Sequence, residues 1–270
     1  MTPIAEPYDD PIDSESIRAA LSTTAMVRRI DYLATTRSTM DDARRAAAEG
    51  APDGTLIVAD EQSAGRGRFQ RTWVSPPGVN LYLSLLLRPS PEVASQLSMM
   101  APLALARALR RVADGRGGLV TIKWPNDVRM GGRKIGGILI ESSLAQDGAE
   151  GFSIVGIGVN VNFDPVEFEE IRDTATALLG ELGRPVPRLQ LLAALMEEAE
   201  ELYLALGEGS AVREEWASML DTLGQRVSVT WGDTVYEGVA EGVDDGGGLL
   251  LRLPNGSIES FSAGEVTLRG

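Results

Sequence analysis

The sequence predicts an α+β fold in one large domain followed by a small all-β unit, and three observations carry that reading. Segments of helical period and of strand period are interspersed through roughly the first 220 residues. From Gln225 the texture changes to short strands separated by Gly, Asp and Asn turns. A chain of 270 residues suits one large domain plus an appendage, and is long enough to bury a sizeable core.

Taken in order, residues 1–14 are rich in Pro and Asp and read as a loose lead-in, with a short helix over Ser16–Leu21. Ser38-Thr39-Met40-Asp41 has the form of a helix start, a hydroxyl cap with an acid three residues on. Alanines then run to Glu49, and Gly50 stops the helix. Thr55–Ala59 reads as a buried strand. Val79–Arg88 reads as a longer one, with Asn80, Tyr82 and Ser84 on one face and Leu81, Leu83 and Leu85 on the other. Ala94–Ala113 is a helix rich in Ala and Leu, and Leu119–Trp124 another strand. Asp127–Met130 and Arg133–Ser142 flank Gly131-Gly132, which predicts a hairpin with a two-residue turn. The register expected is Met130 opposite Arg133, Arg129 opposite Lys134 and Asp127 opposite Gly136. Phe152–Val161 is a further strand, ending in Gly156-Ile157-Gly158-Val159-Asn160. Pro187–Leu206 carries apolar residues at helical spacing and reads as a core helix. Beyond a boundary near Asp221–Gly224, strands at Arg226–Trp231, Val235–Glu241, Gly248–Leu253 and Ile258–Ser262 suggest a small barrel of SH3-like size.

Composition closes off whole classes of chemistry. Without cysteine there is no disulfide, thiolate zinc site, redox pair or thiol nucleophile. Without histidine there is no Ser-His-Asp triad and no imidazole base near neutral pH. The net charge of −14 argues against binding along a phosphate backbone, so no nucleic-acid partner is expected. Met1–Glu15 is acidic, the reverse of a signal peptide's basic start, and no apolar run approaches a membrane span. A cytoplasmic protein is expected. Asn255-Gly256-Ser257 matches a glycosylation acceptor but in that setting reads as a hairpin turn.

Against this background a few residues stand out. Lys123 and Lys134 are the only lysines in a chain whose cations are otherwise arginine. A lysine is a compact ammonium that Arg's planar fork does not replace, and both flank one segment, Lys123-Trp124-Pro125-Asn126-Asp127 … Lys134-Ile135-Gly136-Gly137. They are either leftover surface residues or parts of one site. Gly65-Arg66-Gly67-Arg68-Phe69-Gln70-Arg71 sets three arginines between glycine hinges, either a solvated turn or a mobile loop that wraps an anion. Ser38-Thr39 is an N-cap whose backbone amides also suit a polar ligand. The Gly156–Asn160 run lacks the third glycine of a dinucleotide fingerprint, and no Walker loop occurs.

The order of these motifs resembles the biotin protein ligases. Ser38-Thr39, Gln62 to Arg68 with Arg71-Thr72-Trp73, Asn80 to Ser84, Lys123 to Asp127, Lys134 to Ile138 and Gly156 to Asn160 follow the family's sequence of signatures from about Arg28 onward. The resemblance implies a mixed sheet with flanking helices akin to class II aminoacyl-tRNA synthetases, plus a C-terminal SH3-like barrel. It divides the chain into a lead-in over 1–27, a catalytic domain over 28–221 and the barrel over 222–270. It implies two half-reactions: biotin and ATP, with Mg²⁺, give biotinyl-5′-AMP and pyrophosphate, and a lysine of a biotin carboxyl carrier domain then takes the biotinyl group. Only about thirty residues precede the match, which implies a ligase without an N-terminal DNA-binding module.

Carried over residue by residue, Ser38, Thr39, Met40, Gln62, Gly65, Arg66, Gly67, Arg68, Lys134, Gly136 and Gly137 match biotin-binding positions. Arg66, Arg68, Arg71, Trp73, Lys123, Asn126, Lys134 and Asn160 match positions around ATP and the adenylate. Lys134, Arg68, Lys123 and Asp127 are the expected catalytic set, and the metal is expected to travel mainly on the ATP phosphates. Two positions depart from the pattern: Met40 stands where relatives commonly have Asn or Gln, and Gln70 where glycine is common. A lipoate or octanoate ligase on a similar fold is the nearest alternative, and a non-catalytic biotin sensor another. The octanoyltransferase branch is expected to need a cysteine, which the chain lacks.

Overall fold

The computed structural model describes residues 10–23, 25–143, 151–262 and 264–268. Its centre is a seven-stranded mixed sheet. After α1 (Ser14–Ala20) the chain enters β1 (Arg29–Thr36), crosses through α2 (Thr39–Ala48) and returns as β2 (Thr55–Gln62), parallel to β1. β3 (Leu81–Leu87) runs antiparallel to β2. The long α3 (Pro91–Val112) leads to β4 (Val120–Lys123), β5 (Asp127–Met130), β6 (Arg133–Ser143) and β7 (Phe152–Val159), which closes against β3. The strand order is β1-β2-β3-β7-β6-β5-β4. α4 (Leu178–Leu182), α5 (Arg188–Gly207) and α6 (Arg213–Ser218) complete the layer.

The helices divide the faces of the sheet. α3 and α5 bury Leu97, Leu105, Leu109, Leu191, Leu195 and their neighbours against Leu81, Leu83 and Leu85 in the main core. α2 builds a smaller cluster on the other side, where Met40, Ala43 and Ala47 meet Ile57, Leu86 and Ile154. α3 begins earlier than its apolar pattern suggests, because Ser90 caps it and Pro91 supplies a pre-set first turn. The acid excess on the outer side is laced to arginines: Arg107 reaches Glu198, Glu201 and Glu215, and Arg111 reaches Glu197 and Glu198.

Part of the expected lead-in is docked. Ile12 and Ile17 are buried, and Asp10 accepts the backbone N–H (2.7 Å) and the Nε–H (3.2 Å) of Arg188. Arg188 is itself buried and also bonds Asp60 at 2.6 Å, so a guanidinium with every nitrogen hydrogen-bonded ties the segment before α1 to β2. Residues 1–9, expected as loose, lie outside the described residues.

The β5–β6 hairpin turns on Gly131 and Gly132, both at positive φ as a two-residue turn of this kind demands. Its first two pairs match expectation, Met130 with Arg133 and Arg129 with Lys134. The third does not: Asp127 faces Gly137 and Val128 faces Gly136. A β-bulge at Ile135 adds one residue to β6, and turn chemistry alone does not reveal it.

After Asp221 a five-stranded antiparallel sheet forms from β8 (Arg226–Trp231), β9 (Thr234–Val243), β10 (Leu249–Arg252), β11 (Ile258–Phe261) and β12 (Glu265–Leu268), in the order β11-β10-β9-β8-β12. It is joined firmly to the large sheet. Trp124 is almost fully buried at the junction, its backbone N–H bonded to Thr222 Oγ1 and its indole N–H to the Gly247 carbonyl, each at 2.9 Å. No helix of the described residues is long and apolar enough to cross a membrane.

Candidate active site

A cavity of about 690 Å³ opens on the sheet face that carries α2, lined by the residues after β2, the β4–β5 turn, the glycines of β6 and β7, residues 170–175 and the start of β12. At one end stands the N-terminus of α2. Ser38 occupies the N-cap position with extended backbone, yet its hydroxyl makes no capping bond. Gln62 does that work instead, its Oε1 accepting from the Thr39 N–H (3.0 Å) and Oγ1–H (3.3 Å) while its amide donates to Ser75. Thr39 Oγ1 also accepts from Ser84 at 2.8 Å. The Ser38 Oγ is left buried and without a partner among the described residues. A buried hydroxyl with nothing to bond is costly unless a ligand completes it.

Glycines make the floor. A Cβ on Gly156 would stand 2.5 Å from Met40 Sδ, and one on Gly158 would stand 2.5 Å from the Trp73 indole. The run that looked too short for a nucleotide fingerprint is a place where side chains lie flat on the sheet. Met40 lines the cavity while packing into the α2 cluster, so its side chain is wall and core together.

The arginine loop is a small hairpin, with Gly67 N–H bonded to the Arg71 carbonyl and Trp73 N–H to that of Gly65. Its three arginines reach three different partners. Arg66 lies 2.8 Å from Asp41 and 3.7 Å from Glu141. Arg68 donates to Asn126 Oδ1 at 3.0 Å, and burial holds its guanidinium pKa below the usual value. Arg71 pairs with Glu265 of β12. Between them Phe69 and Gln70 both adopt positive φ, 55° and 59°. Gln70 therefore sits where a glycine would be unstrained.

At the other end Lys134 Nζ bonds Asp127 Oδ1 at 2.6 Å and lies 5.3 Å from the centre of the Trp73 ring. Lys123, on neighbouring β4, has no described carboxylate within ion-pair distance, and burial, partly offset by Asp127, lowers its pKa. Asn126 holds the turn by donating to the Ile138 carbonyl at 2.6 Å. Asn160 lines the cavity with its amide spent on the Thr176 carbonyl at 2.9 Å.

Of the residues expected at the site, Gly136 is misplaced. A Cβ there would meet Leu105 of α3 at 2.6 Å, so it faces the core. Gly65 lies packed beneath Trp73 and Ser75, where it permits the loop's path. Sequence reasoning missed Arg129, Ile171, Thr174, Ala175 and Glu265, all in the lining. Residues 170–175 carry no periodic signal; they are placed by pairing, Lys134 N–H bonding the Thr174 carbonyl at 2.9 Å.

Comparison with known proteins gives the same picture. Residues 32–162 match the biotin/lipoate A/B protein ligase family, and residues 222–269 match the biotin protein ligase C-terminal domain. The chain is 37% identical over 246 residues to a biotin--[acetyl-CoA-carboxylase] ligase of Paracoccus denitrificans, covering 88% of this chain and 100% of that protein. It is 34% identical to the bifunctional ligase/repressor BirA of Bacillus subtilis, covering 93% of this chain and 78% of that one. Among solved structures, the biotin protein ligase of Aquifex aeolicus in complex with biotin and ATP superimposes with a TM-score of 0.74 at 31% identity, covering 90% of this chain and 99% of that one.

Proposed function

The chain belongs to the biotin protein ligases, and from that premise we propose that it activates biotin with ATP and transfers the biotinyl group to a lysine of a carboxylase carrier domain. The observation that carries the reading is the pairing of a buried Ser38 hydroxyl, without a partner among the described residues, at one end of the cavity with a cluster of cations at the other. A neutral polar ring system with an apolar chain fits the first end, beside Thr39, Met40 and Leu83. Six cations against three carboxylates line the cavity of a protein whose net charge is −14, which suits a polyphosphate.

In the first step a biotin carboxylate oxygen bonds to the α-phosphorus of ATP, and the bridging bond to the β-phosphate breaks with its electrons leaving on pyrophosphate. Two anions must meet. Lys134 and Arg68, held by Asp127 and Asn126, are placed to offset the charge that grows at phosphorus. The carboxylate is already ionised at neutral pH, so the step needs no histidine. Trp73 and the arginine loop line the cavity, where they would shield the mixed anhydride from water. For Mg²⁺, the described residues gather no cluster of three acidic side chains, and Asp127 is already paired. An ion carried mainly by the ATP phosphates, without a carboxylate cage of its own, fits these residues, and its chemistry would be to neutralise phosphate charge.

The lipoate alternative is disfavoured by the Gly65–Arg68 signature and the similarity along nearly the whole chain to biotin ligases. Incubation with ATP, Mg²⁺ and radiolabelled pyrophosphate tests the reading. Exchange that requires biotin is expected; exchange supported by lipoate and not by biotin would overturn it. Intact mass of a purified biotin carrier domain checks the second step.

A further inference from the structure

Arg129 belongs to none of the motifs that mark the family, yet it stands in the cavity wall. It lies on β5 directly opposite Thr121 of β4 and Lys134 of β6, and Asp127, two residues away on the same strand, faces Lys123. Residues directly opposite across antiparallel strands share a face, so Lys123, Arg129 and Lys134 form one cationic field. Arg129 is held there from the domain junction: Asp221 Oδ2 accepts from its NH1 at 3.2 Å and from Thr121 Oγ1 at 2.9 Å. That single bond leaves most of a guanidinium's five donors for something else. Lys123 beside it has no ion-pair partner among the described residues.

The strand order then gives a direction. Along β3-β7-β6-β5-β4 the cavity passes from the glycine floor to Lys134, then to Arg129 and last to Lys123. At about 4.8 Å per strand, Lys123 lies some two spacings past Lys134, on the side away from the biotin end. The 170–175 wall offers Glu170, Ile171 and Ala175 and no cation in the lining, which suits a base more than phosphates. Resting on the function proposed above, we infer that Arg129 is a binding residue for the β- and γ-phosphates of ATP and for the departing pyrophosphate, positioned by Asp221.

The test measures biotin-dependent pyrophosphate exchange by the full-length protein and its Arg129→Gln and Arg129→Lys variants, with titration calorimetry of inorganic pyrophosphate in parallel. Arg129→Gln should raise KM for pyrophosphate and for ATP about tenfold, the scale of one charge-assisted hydrogen bond, with KM for biotin moving less than about twofold. Arg129→Lys should recover part of the loss. Single-turnover transfer from synthetic biotinyl-5′-AMP to a carrier domain involves no pyrophosphate and should stay near wild type. Unchanged pyrophosphate KM overturns the inference, as does an equal loss in the transfer step, which would mark a structural role. Should the wild-type protein lack biotin-dependent exchange, the proposed function fails. Calorimetry still decides Arg129, because weaker pyrophosphate binding by the variant supports the subsite and equal binding removes it.

Discussion

Lys134 and Asp127 are bonded at 2.6 Å because β6 carries one residue more than β5 requires. The bulge at Ile135 sets Asp127 opposite Gly137, and the Lys134 side chain crosses that glycine to reach the carboxylate. A Cβ on Gly137 would stand 3.2 Å from Lys134 Cε and 3.3 Å from Nζ. The glycine pair after Ile135 therefore does two separate jobs. Gly136 makes room for α3 in the core, and Gly137 makes room for the lysine in the site.

Lys134→Arg should cost adenylation about 10²-fold although the charge is kept. A planar fork is wider than an ammonium and does not fit the passage over Gly137, so a preorganised donor is lost. Thermal melting should move little, since Lys134 is about a third exposed. Exchange assays on the variant check this; near-normal exchange by a folded protein would make Lys134 an ordinary surface residue.

Ser38→Ala separates capping from binding. A hydroxyl that caps a helix is worth about 1 kcal/mol when lost. Here Gln62 holds the Thr39 amide and the Ser38 Oγ bonds nothing among the described residues. The variant should therefore melt within about 0.5 kcal/mol of wild type while KM for biotin rises roughly tenfold. A large loss of stability with unchanged biotin KM would restore the capping role.

Gln70→Gly addresses the loop. Gln70 holds φ at 59°, a conformation costing a residue with a side chain about 1 kcal/mol that glycine avoids. Glycine should relax the hairpin's strain but also widen its unfolded ensemble. The strain outweighs the entropy if the loop is formed without ligand, as its Gly67–Arg71 and Gly65–Trp73 bonds show it. Slower hydrogen exchange over residues 66–72 in the variant is the expected result, and faster exchange would mean the hairpin forms only on binding.

Local signals were the legible part. The α2 start, the Gly131-Gly132 turn and the apolar spacing of α5 all lie within a few residues of what they determine. Pairings between distant segments were not. β1 has no legible signal in the sequence because it is an edge strand whose residues are mostly half-exposed, leaving no clean alternation. The composition of the arginine loop marks it as a loop for an anion, but its partners Asp41, Asn126 and Glu265 come from three separate parts of the chain and leave no local signal. Nothing in the local sequence distinguishes Arg129 from any other hairpin residue, because its partner Asp221 lies far along the chain. Both lysines, by contrast, were identifiable because their rarity marked them without any knowledge of the fold.

Lys123 gives the final prediction, because stability and function should pull it in opposite directions. Lys123 is half-buried without an ion-pair partner among the described residues, and that partial burial lowers its pKa from 10.5. Between the lowered folded value and 10.5 the unfolded chain binds more protons than the folded one. Raising the pH through that window therefore stabilises the ligand-free protein through this group. A bound polyphosphate favours the charged form, so ATP affinity should fall across the same window. Lys123→Met removes a half-buried charge that Asp127 offsets only in part, and should raise Tm at neutral pH while largely abolishing exchange. Two pH series decide it, one of Tm without ligand and one of KM for ATP, each on wild type and variant. The wild-type deficit in Tm should shrink as the pH rises, and only wild type should lose ATP affinity on this account. Parallel profiles for the two proteins would show that Lys123 does not titrate in the window and that its charge is already matched in the ligand-free state.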